Sequence, residues 1–139
     1  MSLVLDSSAT LAWYFEDERT DAVTTVLRQV GETGAVVPAL WRLEVANGLQ
    51  MAVRRGRIDT AYRDGSLREL RALEIVVDPE TDTRAWHDTL ALAHRFDLTL
   101  YDAAYLELAR RLHLPLASLD VKLRSAAGAE GIALLGLAP

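Results

Sequence analysis

Cysteine is missing from the 139 residues altogether, which excludes disulfides, cysteine-based zinc sites and a thiol nucleophile. Glycine and proline are scarce, at eight and four residues, so neither a fibrous repeat nor a disordered tail fits. No stretch reaches the roughly 18 uninterrupted apolar residues of a membrane helix; even "GIALLGLAP" stops short. The opening "MSLVLDSS" has neither a basic leader nor the apolar core of a signal peptide, so a cytoplasmic protein without membrane contact is expected. Positive charge is also in deficit. Fifteen Lys and Arg against 20 Asp and Glu give a formal charge of -5 and a pI near 5.1, which argues against binding nucleic acid through bulk positive potential.

What is present is a globular composition, 50% hydrophobic and 25% charged, in a chain long enough to bury one core. A single domain over residues 1–139 is expected. Short apolar runs alternate with helical patterns. "SLVL" reads as a strand ending at "DSS", where a capping signal introduces the helix-like "ATLAWYF". "TDAVTTVLRQVGETG" is an amphipathic helix closed by Gly31 or Gly34, and "AVVP" is a buried strand ended by Pro38. "LWRLEVANGLQMAVRRG" is a helix stopped by Gly56; "TAYRDGSLRELRAL" follows as a helix and "EIVV" as a strand. "TRAWHDTLALAHRFD" reads as one helix with apolar positions at 86, 90 and 93, and a further helix is opened by Asp102. "PLAS", "DVKLRSAAGAEG" and "IALLGL" complete the chain as strand, helix and strand. The fold class is therefore α/β, a mainly parallel central sheet of about five short strands flanked by helices.

The segment "TLYDAAYLELA" poses a chemical question. On a helix from Asp102 to Leu112, Glu107, Arg110 and Arg111 share one polar strip, whereas Asp102 lines up with Leu106 and Ala109 on the apolar side. Other carboxylates stand in similar places. Asp6 follows the first strand, Asp120 follows "PLAS", and Glu44 lies early in its helix. Ligands in open α/β sheets collect beyond the carboxyl ends of the strands. Each Asp taken alone suits a helix N-cap better than a ligand, and Glu44 with Asn47 suits a solvated face. Leu40, Leu43, Val45 and Ala46 nevertheless make that helix apolar nearly all round, and Gly48, one turn on, permits close backbone approach. Four gathered carboxylates repel by on the order of a few kcal/mol per close pair at an effective dielectric near 20. A hard divalent cation such as Mg²⁺ or Mn²⁺ removes that objection, and phosphodiester hydrolysis is the chemistry that follows.

In order and spacing, "VLDSSATLAWYFEDE", "VPALWRLEVANGL", "LTLYDAAYLELA" and "LASLDVKLRSAA" resemble the four acidic motifs of PIN-domain ribonucleases, specifically the toxins of bacterial VapBC toxin–antitoxin pairs. The resemblance covers essentially the whole chain. It implies a single PIN-like domain in which Asp6, Glu44, Asp102 and Asp120 hold Mg²⁺ or Mn²⁺ and activate a water for in-line attack on RNA. The family's products are a 5′-phosphate and a 3′-hydroxyl. Ser8 and Ser118 match hydroxyl positions that orient a carboxylate or a water, while serving equally well as caps. Asn47 matches a polar position of the Glu motif. The resemblance also implies a VapB-type antitoxin over the active-site groove, operator DNA reached only through that antitoxin, and a homodimer joined by apolar helix surface.

An RNA substrate needs a local positive path. Arg54, Arg55 and Arg57 close the Glu44 helix, and Lys122 and Arg124 follow Asp120; either group can meet phosphates, although cations at a helix C-terminus also answer its dipole. His87, His94 and His113 lack metal spacing, so zinc is not expected. Trp13, Tyr14, Phe15, Trp41, Trp86 and Tyr105 are expected in the core rather than stacked on bases. An aspartyl phosphatase would resemble "DxD" where this chain has "DSS", and a receiver module would need paired acids near its start. A catalytically inactive PIN-like scaffold is the remaining alternative.

Overall fold

The computed structural model describes residues 2–137. Its frame is one five-stranded sheet in the order β3-β2-β1-β4-β5, formed by β1 (Val4–Leu5), β2 (Ala35–Val37), β3 (Ile75–Val77), β4 (Leu116–Ala117) and β5 (Leu134–Leu135). Every pairing is parallel, with Val4 beside Val36 and Leu116. Parallel strands need crossover connections, and helices supply them: α1 (Ser7–Ala12) and α2 (Asp21–Thr33), then α3 (Trp41–Arg54) and α4 (Thr60–Ala72). After β3 come α5 (Thr81–Arg84), α6 (Leu90–Phe96) and α7 (Leu100–Leu112), and α8 (Val121–Ala129) joins β4 to β5. The central strands β1, β2 and β4 are wholly buried, as expected of strands covered on both faces.

The chain steps from β1 to β2 and β3 on one side, and the later strands β4 and β5 lie on the other. The boundary between β1 and β4 is thus a topological switch point, where a crevice opens beyond the strand ends. Local signals place the helices. Thr20 caps α2, accepting from Val23 N at 3.2 Å, and Val23, Val26 and Val30 bury its apolar stripe. Of the two candidate glycines, Gly34 closes α2 with a φ of 76°, while Gly31 stays inside it. Gly48 lets α3 approach α1: a Cβ there would collide with the Leu11 side chain.

Several expectations are corrected. Asp102 does not open its helix; α7 begins at Leu100, and Thr99 is the cap, accepting from Asp102 N at 3.1 Å. The single helix expected over 83–97 is interrupted by a π turn at Ala85–Thr89, which widens one turn and shifts the faces that follow. Thr89, Leu92 and Ala93 are therefore the buried residues, while Trp86 is 86% exposed and Leu90 49% exposed. Trp86 is not a core residue. Trp13, Tyr14, Phe15, Trp41 and Tyr105 are buried as expected. Glu107 is also buried, because Arg111 binds it at 2.7 Å from the next turn. On α3, Leu43 is exposed despite the helix's apolar composition.

Candidate active site

Asp6 is the inner member of the site. It follows β1 and is 4% exposed, and its carboxylate does not cap α1. Instead Oδ2 accepts from Ser8 Oγ at 2.6 Å and from Ser118 Oγ at 2.7 Å. A hydroxyl has one proton, so each serine accepts elsewhere: Ser8 from Leu119 N at 2.9 Å and Ser118 from Asp120 N at 3.1 Å. Two serines thereby stitch the end of β1 to the end of β4. Burial pushes the Asp6 carboxyl above the ordinary range; the two hydroxyls oppose this and the charge of Asp120 adds to it.

Glu44 comes from α3 and Asp102 from the first turn of α7, both partly exposed. Burial is also the leading cause that raises Glu44, followed among the raising influences by Asp6 and Asp102. Asp102 is raised by burial and then by Asp120 and Asp6, with Lys122 opposing. Each of these three therefore feels the negative charge of its neighbours. Asp120 caps α8, its Oδ1 accepting from Leu123 N at 2.8 Å, so the cap reading and membership of the acidic group hold together for this residue. Among the described residues no three acids are closed on one point as a finished cation cage. The donors are oxygens on separate elements, and that chemistry fits a hard cation completed by water and substrate oxygens.

Tyr105 is the residue that sequence reasoning assigned only to packing. It is fully buried, one turn along α7 from Asp102, and its hydroxyl donates to Glu44 Oε1 at 2.5 Å. Burial, with the charges of Asp6 and Glu44, pushes the Tyr105 hydroxyl far up and keeps it a donor. The available signal was general: a buried tyrosine needs a partner for its hydroxyl, and this one shares a motif with Asp102.

The remaining candidates divide. Asn47 is exposed on α3. Arg57 stacks on Phe15 at 4.4 Å and pairs with Asp17 at 2.9 Å. Lys122 pairs with Asp97 at 3.1 Å, and Arg124 donates to the carbonyls of Ser118 and Leu135 at 2.8 and 2.9 Å. Arg54 and Arg55 are exposed at the end of α3, with no acidic partner among the described residues. His87, His94 and His113 lie exposed.

The model of the PIN domain matches residues 3–129. The chain belongs to the PIN-domain family, in its VapC-type branch. This PIN-domain chain is 32% identical over 123 residues to Ribonuclease VapC3 of Pyrobaculum aerophilum, covering 88% of this chain and 92% of that protein. Its fold is similar to the crystal structure of PAE2754 from Pyrobaculum aerophilum, with a TM-score of 0.71 at 22% identity, over 96% of this chain and 89% of that one. Among the described residues no helix is long and apolar enough to cross a membrane.

Proposed function

We propose that this PIN-domain chain is a metal-dependent endoribonuclease, acting as one nuclease domain over residues 1–139 and as the toxin of a type II toxin–antitoxin pair. The observation that carries the reading is the convergence of Asp6 and Asp120 at the β1–β4 switch point through Ser8 and Ser118, with Glu44 and Asp102 near enough that neighbouring charge raises each in part. The likeness to a protein named a ribonuclease supports the substrate class. Asp6, Glu44, Asp102 and Asp120 would hold Mg²⁺ or Mn²⁺. Such an ion supplies charge neutralisation at the phosphoryl oxygens and a lowered pKa for the attacking water. Ser8 and Ser118 hold Asp6 in one rotamer, so that it is presented without reorganisation. Arg54 and Arg55 are the cations left available for phosphate, since Arg57, Lys122 and Arg124 are already engaged. Asn47 is a further substrate contact.

The partners in this reading are RNA, a VapB-type antitoxin and a second copy of the chain; DNA is met only through the antitoxin. Exposed Trp86, Leu90 and Tyr101 line one groove and supply the apolar helix surface that a homodimer needs.

The test is cleavage of a panel of cellular RNAs by the purified chain in Mn²⁺ or Mg²⁺ against EDTA. Asp6→Asn and Asp102→Asn should each lower the rate by at least about 100-fold while remaining folded. Full activity in a folded Asn variant overturns the assignment. Silence of the wild type on every RNA, when it is folded and metal-loaded, favours the inactive scaffold.

A further inference from the structure

On the side of the sheet where β3 forms the edge, α3, α4 and β3 enclose a cavity of about 370 Å³. Its apolar lining includes Trp41, Val45, Leu70 and Ile75, of which the first three are buried and form the floor. The Trp41 indole donates to Thr10 Oγ1 at 3.1 Å, and Thr10 Oγ1 donates in turn to the Asp6 carbonyl at 3.0 Å, so the ring is anchored through its one polar atom. The floor is thus formed in advance.

The charged residues of the lining are Arg42, from α3, and Arg71, from α4. Both are exposed, and neither has an ion-pair partner among the described residues. No acid lines the cavity. Glu74 directly precedes Ile75, yet its side chain packs beside Gly34 instead, since successive extended residues point to opposite faces. In a chain of net charge -5 the charge lining this cavity is wholly positive.

The ligand chemistry follows from that pairing. Sites for small molecules are typically apolar cavities of about 300–1,000 Å³ with a few polar groups that fix orientation. Guanidinium groups bind a carboxylate through paired, charge-assisted hydrogen bonds, and a hydrocarbon body attached to it would cover Trp41 and Leu70. A bare hydrophilic anion leaves the floor wet; a neutral hydrocarbon leaves both arginines unused.

We propose that the α3–α4 cavity binds a small carboxylate with an apolar body, an aliphatic or aromatic acid, held by Arg42 and Arg71 and packed against Trp41. The site holds its ligand whether or not the chain cleaves RNA.

The experiment is a titration of the full chain with octanoate and with octanamide, which share a tail and differ in charge, followed through the indole N–H signals of its tryptophans by nuclear magnetic resonance. Octanoate should move the Trp41 signal saturably, and octanamide should bind at least about 10-fold more weakly. Joint substitution of two exposed residues, Arg42→Gln and Arg71→Gln, should lower octanoate affinity by the same factor and leave octanamide unchanged, with thermal melting as the check on folding. Should that variant fail to fold, the comparison of the two ligands on wild type decides alone. Equal affinity for the two, or octanoate binding that survives the double substitution, overturns the proposal. So does a Trp41 signal that fails to saturate by roughly 10 mM, inorganic phosphate that matches octanoate, or a shift confined to Trp86, which would put the ligand in the other groove.

Discussion

Asp6 illustrates how a single side chain is held against its own preference. Its carboxylate is buried where the charged form is disfavoured, and two serine hydroxyls hold it there. Asp6, Glu44 and Asp102 are all raised above ordinary values of 3.8, 4.5 and 3.8. A raised acid binds its proton more tightly in the folded state, so its contribution to stability is complete below the ordinary value and is lost as pH rises through the raised one. In EDTA the melting temperature should therefore rise as pH is lowered from neutrality towards those ordinary values. Asp6→Asn should flatten that dependence, and identical pH slopes in the two proteins would contradict it. The sequence made these acids visible as a set of four, because each stands beside a strand end or inside an otherwise apolar helix face. It did not distinguish the role of Tyr105, since a hydroxyl's partner lies 61 positions away.

At the scale of elements, the site depends on how closely α1 and α3 approach. The missing side chain of Gly48 leaves room for Leu11, one turn beyond Glu44, and this brings the Glu44 helix against the helix that follows Asp6. Gly48→Val should force Leu11 aside, destabilising the fold by about 1–3 kcal/mol and lowering cleavage by more than the stability loss explains. Chemical denaturation alongside rate measurement separates the two; an unchanged stability and rate would show that Leu11 simply relocates. Element boundaries were mostly legible from caps and glycines. The π turn at Ala85–Thr89 was not, because the same apolar spacing suits a continuous helix, and one widened turn sends Trp86 to solvent.

Across the whole molecule, a charged network far along α7 ties the helix to the sheet edge. Arg111 binds Asp78, just after β3, at 2.6 Å, Glu107 at 2.7 Å and Glu80 at 3.2 Å, with Asp78 and Glu107 both buried. Arg111→Ala would leave two buried carboxylates without their main partner, and the expected loss is on the order of 3 kcal/mol. Urea denaturation measures it, and a loss under about 1 kcal/mol would mark the network as a solvated rim. Assembly belongs to the same scale. If the Trp86 groove joins two copies, Trp86→Glu should convert a dimer to monomer in sedimentation velocity at micromolar concentration; a dimer that persists places the interface elsewhere.

The residue sequence by itself determined the alternation of strands and helices and the parallel sheet, and it marked four acids as candidates, because periodicity, capping and strand-end position are local properties. Tertiary structure alone decided that β1 and β4 lie side by side, that Ser8 and Ser118 converge on one oxygen of Asp6, and that Tyr105 claims one oxygen of Glu44. It also turned Glu107 inward and Trp86 outward. Those outcomes depend on contacts between residues distant in the chain, whose geometry exists only once the sheet order and helix packing are set.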